Sequence, residues 1–183
     1  PTTGGDRDMD LQSLQSPPAC PSATSPLHHL EIVGSDNGVT CDANNFIIRA
    51  WADAEQNTRF TAAAITGEMT HSGDSEVTVT YPESKSPIFT IDSGLSETTI
   101  QVGVTKEGTV TFDATATGAT GNTTCRLGGT NSCDFLASSV GFIFSNLDKA
   151  TDILAQTAGK DSSIYLRAVK KDSDTAACVA ALN

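Results

Sequence analysis

Thr109-Val110-Thr111-Phe112-Asp113-Ala114-Thr115-Ala116-Thr117 alternates without a break. Val110, Phe112, Ala114 and Ala116 share one side; four Thr and one Asp share the other. Successive side chains of a strand point to opposite faces, so an apolar row backed by a polar row marks a half-buried antiparallel strand. The preceding stretch, Thr99-Ile100-Gln101-Val102-Gly103-Val104-Thr105, repeats the pattern with Ile100, Val102 and Val104 inward. Between the two, Lys106-Glu107-Gly108 has the length of a short hairpin loop, with Gly at the position that takes positive φ.

The same period extends outward in both directions. Glu76 to Tyr81 places Val77, Val79 and Tyr81 on one face. Leu27 to Val33 reads as the first strand, ahead of an Asn37-Gly38 turn, and Phe46 to Ala52 is apolar on both faces, as a central strand would be. Thr61 to Met69 and Ile88 to Ile91 are weaker strands, which Pro82 and Pro87 confine to an edge or a crossing. Gly141-Phe142-Ile143-Phe144 reads as a last core strand, and Asp148 to Gln156 as a short helix closed by Gly159. Ser163 to Val169 and Ala176 to Leu182 flank Lys170 to Asp174 as a hairpin. Strands at this spacing predict an all-β chain: an immunoglobulin-like antiparallel β-sandwich with a C-terminal β-hairpin extension. The expected units are a Pro/Ser/Thr-rich tail over 1–26, the sandwich over 27–147, and the start of a second module over 148–183.

Composition narrows the function. The 183 residues hold 11 Lys+Arg against 22 Asp+Glu, for a net charge of −11. That balance opposes nucleic acid, whose binding face must supply cations, and anionic membrane surfaces. No apolar run approaches the ~20 residues of a spanning helix. Thr and Ser make up almost a quarter of the chain and there are five Cys, a composition that suits an oxidising, extracellular setting. The opening at Pro1, with no Met, reads as a processed chain or a piece of a longer one.

Three blocks carry a family resemblance. Leu27-His28-His29-Leu30-Glu31-Ile32 with Asp36-Asn37-Gly38-Val39-Thr40-Cys41 resembles the opening of the immunoglobulin-like modules of MshQ-like proteins. These are large surface proteins associated with the mannose-sensitive haemagglutinin type IV pilus system of Gram-negative bacteria. Cys133-Asp134-Phe135 with Gly141-Phe142-Ile143-Phe144 resembles the passage that follows the module. Gln156 to Lys160, Tyr165 to Val169 and Ala177-Cys178-Val179 resemble the start of the uncharacterised domain that closes those proteins. Ile143 stands where the family usually has Arg, and His28-His29 where Asp-His is commoner. The resemblance implies an outer-surface location in a Gram-negative bacterium and a structural role, with no assigned reaction.

In those modules one Cys precedes the His-containing strand and a second follows it; Cys20 and Cys41 occupy the two positions, which implies that they pair. Cys125 and Cys133 flank Gly128-Gly129, a loop able to bring them together. Cys178 is then unpaired or intermolecular, its partner expected further along a longer chain. No Cys pairs at zinc spacing occur, and His28 and His29, adjacent on a strand, are expected on opposite faces with no shared metal. His71 adds nothing at a recognisable spacing. Acidic turns containing Asp36, Asp42, Asp53 and Glu55 are the calcium candidates; the alternative is a solvated, repulsive surface. No cofactor is expected. The reading is a non-catalytic extracellular structural or adhesive module, self-assembling by strand exchange in its sharper form. Its partners would be other copies, other modules, pilus components or surface glycans. The alternative is a carbohydrate- or calcium-binding adhesin domain, with the lone Trp51 as the sugar platform.

Overall fold

The computed structural model describes residues 26–74, 78–145, 164–175 and 177–181, all of it strand, turn or loop. Strands are numbered in chain order. One sheet holds β1 (His29–Gly34), β3 (Ala43–Trp51), β5 (Val79–Thr80), β7 (Glu97–Val104) and β9 (Thr124–Leu127), in the spatial order β5-β7-β3-β1-β9. The second holds β2 (Asn37–Val39), β4 (Ile65–Gly73), β6 (Ile88–Ile91), β8 (Gly108–Ala116) and β10 (Asp134–Ser138), in the order β2-β10-β8-β4-β6. A third, smaller sheet has the order β11-β12-β13, from β11 (Val140–Ser145), β12 (Tyr165–Lys171) and β13 (Cys178–Ala180).

The first two sheets form an immunoglobulin-like sandwich. The run β5-β7-β3-β1 reproduces the D-E-B-A sheet and β10-β8-β4 the G-F-C sheet. All pairings within them are antiparallel except β1 with β9 and β2 with β10. One departure is the order of visits: β5 joins the first sheet before β6 returns to the second.

The alternating rows explain the core. Ile100, Val102 and Val104 of β7 come from one side and Val110, Phe112 and Ala114 of β8 from the other, all buried. At the centre Phe46, Phe112 and Phe135 form a triangle with ring centroids 5.1, 5.6 and 6.0 Å apart, within the range that favours tilted aromatic pairs.

Several expectations change. Lys106-Glu107-Gly108 is not a hairpin loop: β7 and β8 lie in different sheets, and the loop carries the chain across the core. In a hairpin their apolar rows would share a face; here they oppose each other. The glycine is still required, since Gly108 has φ of 145°. Gly141 to Phe144 is not sandwich core either, because β11 pairs with β12 and leaves the sandwich. Of Glu76 to Tyr81 only Val79–Thr80 forms a described strand. The expected helix over 148–156 and nearly all of the 1–26 tail lie outside the described residues. β3 is the central strand of its sheet, and β5 and β6, beside Pro82 and Pro87, are edge strands; the strand expected weakly at Thr61 to Met69 is instead the nine-residue β4, paired on both sides with β8 and β6. The C-terminal hairpin forms as β12–β13, its turn capped by Asp172, whose carboxylate accepts from the backbone N–H groups of Asp174 and Thr175 at 3.0 and 2.8 Å.

Candidate functional site

Three places concentrate side-chain chemistry: the joint between sandwich and third sheet, a half-buried polar cluster outside the first sheet, and the outer face of the third sheet.

The joint is covalent. Cys41, in the turn after β2, is bonded to Cys178, the first residue of β13, across a separation of 137. Cys41 therefore does not pair with Cys20, which lies outside the described residues, and Cys178 is neither unpaired nor intermolecular. The family resemblance implied Cys20 as the partner. The fold instead brings the far end of the chain to the β2–β3 turn, because β11 leaves β10 beside β2. Polar contacts reinforce the bond. The Lys171 ammonium donates to the Thr105 carbonyl, Lys171 N–H donates to the Ser139 carbonyl at 2.9 Å, and Ser139 Oγ donates to Glu107 at 2.9 Å. A second disulfide, Cys125–Cys133, closes an eight-residue step between β9 and β10. Gly128 and Gly129 turn that loop at φ of 58° and 81°. A side chain at Gly128 would also strike the Asp36 carboxylate.

The polar cluster lies on the face of the first sheet away from the core, buried at Glu31 and exposed at Glu97. Register places Glu31 opposite Arg49 and Arg49 opposite Glu97, an acid–base–acid row across β1, β3 and β7. Arg49 Nε reaches Glu97 at 3.1 Å and its Nη1 reaches Glu31 at 3.7 Å. Glu31 is 3% exposed and accepts from the Trp51 indole N–H at 3.1 Å. The Arg59 guanidinium sits 4.0 Å from the Trp51 ring centroid, a cation–π contact. Trp51 is thus buried on one edge and capped on its face, so it presents no platform for a sugar.

His28 and His29 also differ from expectation. β1 starts at His29, so the alternation rule does not extend to His28, and the two Nδ1 atoms lie 2.9 Å apart. Gln56 Nε2 lies 3.1 Å from His29 Nε2 and donates to Thr124 at 2.8 Å. With Gln56 donating, His29 carries its proton on Nδ1 and gives it to His28. Burial, then the neighbouring His28, pushes His29 below the ordinary histidine range, against smaller opposing pulls from Glu31 and Asp53. His71, on β4, is exposed.

The four calcium candidates do not converge. Asp36 and Asp42 sit where β1 ends and β3 begins; Asp53 and Glu55 follow Trp51 at the other end of β3. A nine-residue strand separates the pairs by roughly 30 Å. Each Asp has a local task. Asp36 accepts from Asn37 at 2.7 Å and Asp42 from Ala43 N–H at 2.9 Å. Asp53 caps its loop through the N–H groups of Asn57 and Thr58, which hold its carboxyl below the usual carboxylate range. Among the described residues no group of three or more His, Cys, Asp or Glu could hold a metal ion.

An open groove of about 610 Å³ crosses β4 and β8, lined by Thr70, Ser72, Thr111, Asp113 and Asn122 among others. It is the wet side of the Thr rows.

On the third sheet the pattern inverts. Val140, Phe142, Phe144 and Leu166 share a face by register and are exposed at 58, 68, 57 and 57%. The opposite face, with Gly141 against Val39 and Val169 buried, turns toward the sandwich.

A family model described as "Domain of unknown function (DUF6701), first Ig-like domain" matches residues 122–183. Over that stretch the chain is similar to an immunoglobulin-like domain. No curated protein and no solved structure matches it. The matched stretch takes in β9 and β10 of the sandwich and the whole third sheet, and its description assigns no activity. Two disulfides and an immunoglobulin-like fold fit an extracellular or secreted protein. Among the described residues no helix is long and apolar enough to cross a membrane.

Proposed function

We propose that the chain is a non-catalytic structural module on the outside of a bacterial cell, a spacer that carries tension within a large surface or pilus-associated protein. The observation that supports this is the Cys41–Cys178 bond. Force entering near Pro26 and leaving near Ala181 runs through β1 and the Cys41 turn, then crosses the disulfide. Everything from 42 to 177 forms a side loop off that covalent route, and β3 through β12 bear no load through their own backbone. A module so wired limits how far a pull can extend it, since only the segments outside the closed loop lengthen, which suits a stalk or a base for an adhesive tip.

The sandwich edges support a spacer over an element that assembles by strand exchange. β5, β2, β9 and β6 are two, three, four and four residues long, and β9 is tethered by Cys125–Cys133. Short, pinned edges offer little template to an incoming strand.

Single-molecule stretching of the chain held by its two ends tests the reading. With the disulfides intact, unfolding releases only the short flanks. Reduction adds about 45–50 nm, the contour of the enclosed residues at roughly 3.3–3.6 Å each. Equal extensions with and without reductant would remove the proposal.

A further inference from the structure

The third sheet has one committed face and, among the described residues, one that no other layer covers. Cys178, Val169 and Lys171 lie on the committed side, held by Cys41 and Thr105. The other face presents Val140, Phe142, Phe144 and Leu166, with Ile164 at 48% exposure just before the strand and Lys170 as its only charged residue among the described residues. Single exposed hydrophobics need no explanation, but a contiguous row on a rigid sheet marks an interaction surface.

The chemistry of the occupant follows from the sheet. A flat layer with alternating apolar side chains is complemented by another such layer about 10 Å away. The family match names an immunoglobulin-like domain, which is two-layered, over 122–183. Within that stretch β9 and β10 are already used by the first sandwich, and β11–β13 supply a single layer.

We infer that this face docks on the same face of a second copy of the chain, β11–β12 against β11–β12, closing a six-stranded two-layer sandwich across a twofold axis. The chain itself presents the complementary surface, and an isologous contact needs only that surface to match itself. Among the described residues Lys170 is the one charge on this face, in a protein with net charge −11, so the contact forms where the acidic surface of one copy least opposes that of the other. Strands of six, seven and three residues give a footprint of at most roughly 14 by 20 Å. That is well short of the ~800 Å² per partner of a standard interface, so the dimer is weak and reversible.

Sedimentation velocity from about 5 to about 500 µM, a range set by that small footprint, reads the result. The expected outcome is a concentration-dependent shift from monomer to dimer that saturates at dimer. Phe142→Ser with Phe144→Ser, two exposed positions, abolishes the shift and leaves the thermal midpoint of the sandwich in place. Ile88→Ser, an exposed residue on β6, leaves the shift intact. A wild-type monomer at every concentration would overturn the proposal and assign the face to a different β-layer. So would a dimer that survives the double substitution, or growth beyond dimer.

Discussion

The sandwich and the third sheet use the same sequence device with opposite results. Val110-Thr111-Phe112 in β8 and Val140-Gly141-Phe142 in β11 both alternate, yet Phe112 is 1% exposed and Phe142 68%. The period of two decides which residues share a face. It does not decide whether a second layer covers that face. In the sandwich β3 and β7 supply the cover, and Phe46 and Phe135 close on Phe112. In the third sheet the apolar row has no layer above it among the described residues, and a disulfide fixes the sheet from below. Packing stabilises the first region; for the second a covalent bond replaces part of the missing packing.

The largest test of this contrast removes the covalent part. Replacing Cys41 and Cys178 with Ser frees a closed loop worth about 5 kcal/mol in the chain-entropy treatment. Hydrogen exchange should then rise sharply in 140–145 and 165–171 while 109–116 stays protected. Equal loss of protection in both regions would show that they unfold as one unit.

Next comes the paired truncation. Phe112→Ala should lower stability by about 3–5 kcal/mol, as emptied aromatic core positions do. Phe142→Ala should change the chain's stability by no more than about 0.5 kcal/mol, as exposed sites do. Denaturant unfolding of dilute, monomeric protein measures both, and comparable losses would mean that Phe142 is covered.

The smallest effect is confined to the sandwich and depends on pH. His29 titrates below the ordinary histidine range when folded, so the unfolded chain takes up the proton first. His28, Glu31 and Asp53 face it, and Gln56 donates to its second nitrogen. Its contribution is complete above the unfolded value near 6.5 and is lost as pH falls below that. The unfolding midpoint of the sandwich should therefore drop between about pH 7 and pH 5, and His29→Asn should flatten this part of the profile. An unchanged slope in the variant would place the effect elsewhere.

Much of the fold was legible because burial and period coincide in Thr99 to Thr117, and β3 announced its central place by being apolar on both faces. The misread loop at Lys106 to Gly108 shows a limit. Three turn residues join two strands equally well within one sheet or between two, and only the facing of the apolar rows distinguishes the cases. The Cys41–Cys178 pairing spans 137 positions and is settled by β10 bringing the chain back beside β2, a fact of topology rather than spacing. The Glu31–Arg49–Glu97 row was equally hidden. Its members are ordinary strand residues until register sets them side by side. His28 and His29 were misplaced because the strand begins two residues later than the hydrophobic pattern does.

The bond between Cys41 and Cys178 has one more consequence, for durability in a protease-rich medium. A single cut anywhere between the two cysteines opens the loop without dividing the molecule, since both pieces stay joined through sulfur. Such nicks would leave mass and attachment unchanged on a non-reducing gel and appear only after thiol treatment. A protein wired this way can carry backbone breaks in its exposed turns and still remain one tethered object.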